Sequence, residues 1–127
     1  MGFVEAINVC LKQKYADFNG RALRSEYWYF VLFTYILQLV LGVVASAAPS
    51  LGNAILGLVM LALIVPSLAV GARRLHDLNK SGWWQLLVFL PLIGIIVLIV
   101  FYCTEGNPGA NRFGPAPVVA QAPHQDF

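Results

Sequence analysis

The sequence predicts an all-α membrane protein: three transmembrane helices preceded by a short amphipathic interfacial helix and followed by an irregular Gly/Pro-rich C-terminal tail. Three observations carry that prediction. Of 127 residues, 59% are apolar and 11% are charged, where soluble domains carry about a quarter charged residues. A soluble fold of this size cannot bury so much apolar surface, so lipid must cover the remainder. The charges are also segregated: 46 residues between Glu26 and Arg73 carry none, and neither do the 24 between Lys80 and Glu105. As a single helix the first run would extend about 69 Å at ~1.5 Å per residue. That is over twice the ~30 Å hydrocarbon core, so it crosses twice, and the second run fits one crossing. Residues 1–117 are read as one membrane domain with spans at about 27–47, 51–72 and 83–103, and residues 118–127 as a disordered tail.

At the N-terminus, Phe3, Ile7, Leu11, Tyr15 and Phe18 recur at steps of four, four, four and three, which places them on one helical face. Two placements suit such a helix: flat in the membrane interface, or packed on the protein's own polar turn. A cleavable signal is a poor reading, although Ala45-Ser46-Ala47 resembles a cleavage site. The apolar stretch Tyr27–Val44 exceeds the usual 7–15 residues, and the segment before it is long and mixed in charge. Ser25 is the expected N-cap of the first span, with Glu26 near the positive helix end. Gln38 falls near the centre of the span, where a carboxamide seeks another helix, and Gly42 and Ser46 form a small face beside it.

Ala48-Pro49-Ser50 ends the first span, and the short connection makes the first two spans an antiparallel hairpin. Pro66 lies inside the second span and deprives the Ala62 carbonyl of its usual donor, which predicts a kink. Ser67 and Gly71 form a second small face. Pro91 and Gly94 fall inside the third span, which admits a re-entrant half-helix pair as an alternative to a full crossing. The tail Gly106-Asn107-Pro108-Gly109-Ala110-Asn111-Arg112-Phe113-Gly114-Pro115 is dense in turn formers.

Seven basic residues (Lys12, Lys14, Arg21, Arg24, Arg73, Arg74 and Lys80) flank one side of the predicted spans, against Arg112 alone in the tail. By the positive-inside rule the N-terminus and central turn are cytoplasmic, and the first loop and C-terminus are periplasmic or outside. Cys10 and Cys103 then fall on opposite sides and do not pair, so both are read as small apolar side chains.

Arg24-Ser25-Glu26-Tyr27-Trp28 is echoed by Lys80-Ser81-Gly82-Trp83-Trp84: base, serine, any residue, aromatic, tryptophan. Each segment opens a membrane helix, with Tyr27, Trp28, Trp83 and Trp84 as interfacial aromatics. The segment YADFNGRALRSEYWYF, the turn GARRLHDLNKSGWW, the run LPLIGIIVLIVF and the tail GNPGANRFGP together resemble the bacterial inner-membrane family known as domain of unknown function 805. That resemblance covers about residues 10–117. It implies a small multi-pass protein of the inner (plasma) membrane and brings no activity, ligand or catalytic residue.

For chemistry, His76-Asp77 is the one pair suited to acid–base work or metal binding, and it lacks a second ligand at metal spacing. Neither a Cys-x-x-Cys pair nor a phosphate loop occurs. No catalytic, cofactor or metal site is expected, and the protein is not read as an enzyme. Instead Arg21, Arg24 and Glu26 on one hairpin partner are expected to meet Arg73, Arg74, His76, Asp77 and Lys80 on the other. The expected pairs are Glu26 with Arg73 or Arg74, and Asp77 with Arg21 or Arg24. The favoured function is a structural, interaction or lipid-associated protein whose basic turn holds anionic headgroups. It would form a homo-oligomer or join another membrane protein through Gln38 and the small faces. A subunit of an oligomeric transporter or channel is the alternative, weakened because no ionisable residue lies inside a span. An interfacial lipid-modifying enzyme ranks last. Nucleic acid is not expected as a partner, because lipid headgroups compete for the membrane-pinned bases.

Overall fold

The computed structural model describes residues 2–115 and 117. Helix α1 runs Phe3–Asn8 and widens into a π turn over Val9–Gln13; α2 spans Arg24–Ala47, α3 spans Pro49–Asp77, a 3-10 helix covers Gly82–Phe89, and α4 covers Ile93–Cys103. Among the described residues there is no strand, only an isolated antiparallel bridge between Asn111 and Gly114. Among the described residues two helices, α2 and α3, are long and apolar enough to cross a membrane. At ~1.5 Å per residue their 24 and 29 residues extend about 36 and 43 Å.

A single residue, Ala48, joins α2 to α3. Pro49 occupies the first helical position, where its missing N–H is no loss and its fixed φ favours the helix. The hairpin closes on Ala45 and Gly52, and a Cβ on Gly52 would overlap the Ala45 backbone. Ala45 is buried, whereas Gly42 and Ser46 are exposed and Gly42 has open space beside it. Within the chain the small face that packs is Ala45/Gly52, and the Gly42/Ser46 face is left exposed.

Helix α3 has two parts. Its N-terminal two-thirds present Leu51, Leu58, Leu61, Ile64 and Leu68 outward, while every residue from Ala69 to Asp77 is buried. The core of the hairpin gathers Cys10, Ala22, Phe30, Leu63 and Val70. Pro66 sits within an unbroken helix, and the carbonyl it orphans, that of Ala62, accepts from the Tyr15 hydroxyl.

The N-terminal helix is shorter than its apolar spacing suggests, ending at Gln13. Lys14 N donates to Val9 O at 2.7 Å, an i→i+5 bond, so the π turn adds a residue and rotates the face. Ala6, Val9 and Cys10 are therefore the buried set, while Tyr15 and Phe18 are exposed beyond the helix end.

The third predicted span is not one helix. The 3-10 helix stops at Phe89, the chain reverses through Leu90-Pro91-Leu92, and α4 returns alongside it. Ile93 N donates to Pro91 O at 2.7 Å around Leu92, whose φ of 66° and ψ of −64° describe a γ-turn of the strained hand. The two arms touch along their length: Trp84 meets Phe101 edge-to-face at 5.7 Å, and a Cβ on Gly94 would overlap the Leu87 carbonyl. Proline cannot extend the first arm, and glycine lets the second approach its backbone. The 11 residues of α4 extend about 17 Å, roughly half the hydrocarbon core.

This fold-back returns the chain to its starting end. The expectation of a tail on the side opposite the central turn is corrected: Asn107 N donates to Asp77 O at 2.8 Å, and Arg112 Nη2 donates to Asn79 O at 3.1 Å. Cys103 likewise lies at the end that holds Cys10, through its carbonyl contact with Arg24, and both thiols are free. Residues 118–127, read as a disordered tail, lie outside the described residues.

Candidate functional site, a buried arginine–carboxylate clasp

The backbone carbonyls of the last turns of α3 also take donors from the rest of the chain. Ala22 N donates to Arg73 O at 3.0 Å, and Asn111 Nδ2 donates to His76 O at 2.9 Å. Gly106 allows the tail to lie across Asp77, because a Cβ there would overlap the carboxylate.

Five ionisable side chains are buried in the same place: Arg21, Glu26, Arg73, Arg74 and Asp77, each no more than 5% exposed. Arg73 Nη1 pairs with Glu26 Oε2, and its Nε donates to Asp17 O at 3.1 Å. Asp77 is held from two sides, by Arg21 Nε at 2.8 Å and Arg74 Nη1 at 2.7 Å. Of the pairs weighed from the sequence, the structure thus has Arg73 on Glu26 and Arg21 on Asp77, and adds Arg74 on Asp77. Burying such groups is tolerable only when each is paired, and here each is, although Arg73 Nη2 is buried without a hydrogen-bond partner among the described residues.

Three arginines against two carboxylates leave one positive charge in excess, and backbone oxygens face it. Arg21 donates to the carbonyls of Asn107 and Gly109, both at 2.6 Å. Arg74 donates to Ala22 O at 3.0 Å, Tyr102 O at 3.1 Å and Thr104 O. The last two belong to the C-terminus of α4, whose partial negative charge favours a cation. Trp28 Nε1 adds a bond to Tyr102 O at 3.1 Å, and Arg24 Nη1 reaches Cys103 O at 3.4 Å. The arrangement clasps the start of α2, the end of α3, the end of α4 and the tail.

His76 stands beside the clasp. Its Nδ1 lies 2.9 Å from Gly20 O, and its ring stacks on Phe113 at 3.9 Å. Desolvation lowers its pKa, and Arg112 and Arg73 push the same way against the Gly20 carbonyl. Burial and the nearby Glu26 push the Cys10 thiol up to about 12. Among the described residues no group of three or more His, Cys, Asp or Glu side chains is placed to hold a metal.

Other expected positions are placed differently. Ser25 is not the N-cap of α2: Leu23 is, and the Ser25 hydroxyl is buried without a hydrogen-bond partner among the described residues. Ser81 does cap its helix, accepting from Trp83 N at 3.2 Å. Tyr27 turns inward to stack on Tyr102 at 4.3 Å, while Trp83 and Trp84 are exposed. Lys80 lies over the rings of Phe101 and Trp84. Gly71 packs against Gln85, which donates to Leu68 O at 3.1 Å. Ser67 is half-buried, and Gln38 is exposed on a groove between α2 and α3 that Ser67 also lines. Arg21, Arg73 and Arg74 are deeply buried, whereas Lys12 and Arg112 are exposed and Lys14, Arg24 and Lys80 are half-buried.

The family model described as "Protein of unknown function (DUF805)" matches residues 15–115. The chain belongs to this family. The DUF805 match starts at Tyr15, the partner of Ala62, and ends one residue after Gly114, whose carbonyl accepts from Arg21 at 3.2 Å. The DUF805 chain is 44% identical over 105 residues to "Inner membrane protein YhaI" of Escherichia coli (strain K12), covering 83% of this chain and 89% of that protein. It is also 44% identical over 112 residues to "Inner membrane protein YhaH" of the same strain, covering 83% and 90%. No solved structure matches the chain.

Three contributors to the DUF805 clasp are not visible from sequence spacing: the Tyr102 carbonyl, the tail amides, and Trp28 as an inward donor. The density of Gly and Asn over residues 106–114 is their one local signal, since such residues let a backbone lie close against another.

Proposed function

We propose that this protein is a structural or interaction component of the bacterial inner membrane, associated with lipid and without catalytic activity. One observation supports this above others: the five charged side chains of the clasp form ion pairs with one another, and its three arginines donate to backbone carbonyls as well. An acid or base held this way is committed to architecture rather than to turnover. The two relatives named as inner membrane proteins support the same location.

In this reading α2 and α3 cross the bilayer, and the 3-10 helix and α4 form a re-entrant hairpin that reaches about halfway. The polar end faces the cytoplasm, with both the N-terminal helix and the described tail on that side and Ala48 at the far surface. All eight Lys and Arg residues then lie on the positive side, as membrane insertion favours. The N-terminal helix lies in the interface, with exposed Lys12 beside anionic headgroups; each such base contributes about 1 kcal/mol. Gln38, lining an exposed groove with Thr34 and Ser67, supports a second copy or another membrane helix as a partner.

The test is mass analysis of the intact complex released from mild detergent. Phosphatidylglycerol or cardiolipin is expected to stay bound, and to be lost when Lys12, Lys14, Lys80 and Arg112 are all changed to Gln. Turnover of a bound lipid would overturn the non-catalytic reading. Reporters fused before Met1 and after Gly114 are expected to be active together in the cytoplasm; opposite activities would overturn the topology.

A further inference from the structure

His76 has a nitrogen that the clasp does not use. A carbonyl oxygen only accepts, so the 2.9 Å contact with Gly20 O places the proton on Nδ1 and the lone pair on Nε2. Stacking on Phe113, with ring planes 3° apart, fixes the direction of that lone pair. Nε2 faces Gly82, lying 3.7 Å from where a Cβ on that residue would sit. No described residue donates to it.

A cavity of about 460 Å³ opens on this side, between α3, the start of the 3-10 helix and the N-terminal segment. Its polar lining is His76, Ser81 and Gln85, and the remainder is apolar, with Phe18, Trp83 and Leu86 among the walls. Gln85 is already engaged with Leu68 O. Ser81 Oγ accepts from Trp83 N, which leaves its own hydroxyl proton to donate. The cavity thus offers one acceptor and one donor above an apolar wall, in a volume suited to a small ligand or a lipid head. A hydroxyl group matches both at once. No charged side chain lines the cavity to balance a carboxylate or phosphate, and Arg112 and Arg73 nearby disfavour an ammonium group.

We propose that this cavity binds a membrane-dissolved apolar molecule whose head is an uncharged hydroxyl, donating to His76 Nε2 and accepting from Ser81 Oγ. Two sources share that chemistry, a diacylglycerol and a long-chain quinol. The inference goes beyond the lipid-anchoring role and fails or stands separately from it.

The experiment titrates the full-length protein in detergent with dioctanoylglycerol and, in parallel, with a decyl-substituted benzoquinol, following tryptophan fluorescence and the 15N resonances of His76. Each probe has a partner that keeps the acceptor and lacks the donor: the methyl ether of the glyceride, and the corresponding quinone. Saturable binding is expected for at least one hydroxyl probe, with its partner about tenfold weaker, the worth of one buried hydrogen bond. Whichever arm responds identifies the source. His76→Asn keeps a donor for Gly20 and removes the acceptor at the Nε2 position, and is expected to lose about tenfold in affinity. Leu86→Trp fills the cavity from an exposed position and is expected to abolish binding. Equal affinity for hydroxyl probe and partner, or unchanged binding in Leu86→Trp, would overturn the proposal, even should His76→Asn fail to fold. Retention of anionic lipid in the intact complex alongside such a result would leave the anchoring role in place.

Discussion

The Tyr15 hydroxyl donates to the carbonyl oxygen of Ala62, the acceptor that Pro66 deprives of its helical donor. A proline in a membrane helix is tolerated when another group bonds the freed carbonyl. Here that group comes from the segment just after α1, so the bond also fixes the N-terminal region against α3. Tyr15→Phe is expected to cost about 1 kcal/mol, the worth of one hydrogen bond to a carbonyl that has no helical donor. In a Pro66→Ala background the Ala62 carbonyl regains its backbone donor, and Tyr15→Phe is expected to become nearly neutral. Unfolding titrations in mixed micelles on the four proteins measure the coupling, and equal losses in both backgrounds would refute the relationship.

The clasp predicts an order of severity. Glu26→Gln leaves Arg73 buried without its carboxylate, which is expected to cost roughly 3–5 kcal/mol. Asp77→Asn strands both Arg21 and Arg74 and is expected to be worse, with loss of folded protein at physiological temperature. Arg73→Glu combined with Glu26→Arg is expected to recover part of what either change loses alone, read as yield of monodisperse protein. The same order is not expected for Lys12 or Lys14, which lie outside the clasp.

Gly94 sets the separation of the two arms of the hairpin. A methyl group there meets the Leu87 backbone, which cannot rotate away as a side chain tip does. Gly94→Ala is expected to cost about 1–3 kcal/mol by overpacking and to part the arms. Cysteines replacing Trp84 and Phe101, in a protein with Cys10 and Cys103 changed to Ser, are expected to be joined by a short bis-maleimide, less efficiently once Gly94→Ala is added. Unchanged cross-linking would show that the arms tolerate the extra volume.

The two native cysteines are expected to differ in reactivity. Cys10 is buried, and its thiol is pushed up to about 12 by burial, with Glu26 adding to the effect; Cys103 is exposed. The thiolate is the reactive form, so at pH 7.5 a maleimide is expected to add once to the folded protein, at Cys103. Two additions are expected after denaturation. Labelling of Cys10 in the folded state would mean that α1 leaves the hairpin readily.

How much of this was legible in the sequence depends on the distance over which each cause acts. The two long helices follow from uncharged length alone, and Ala48-Pro49 marks their join. Charge arithmetic brought Arg21, Glu26, Arg73 and Asp77 to one place, because hairpin partners share an end. The fold-back at Pro91 was one of two readings. Deciding it needed Gly94 against Leu87 and Arg74 on the last carbonyls of α4, contacts spanning up to 30 residues. Which small face packs inside the hairpin was not legible: Gly42/Ser46 and Ala45/Gly52 offer similar side chains, and only the one-residue turn selects the register. The missing Ser25 cap has a similar origin, since the chain enters α2 through Ala22, held by Arg73 O, and so starts the helix two residues earlier.

His76 gives the clasp a pH dependence with a definite sign. Desolvation is the main reason its pKa lies below the ordinary value of 6.5, so the fold favours the neutral ring. A group whose pKa is depressed on folding contributes stability that is present above the unfolded pKa and lost as pH falls through the folded one. The charges that face it, Arg112 and Arg73, oppose a second proton, and Arg112 lies in the tail that supplies Phe113. Stability is therefore expected to be flat from pH 8 to about 6.5 and to decline below that, with the tail loosening first. Cleavage by a protease within residues 107–114 is expected to accelerate between pH 6.5 and 5. His76→Asn is expected to remove that acceleration while Gly20 keeps its donor. Equal acceleration in the variant would assign the effect to the carboxylates of the clasp instead.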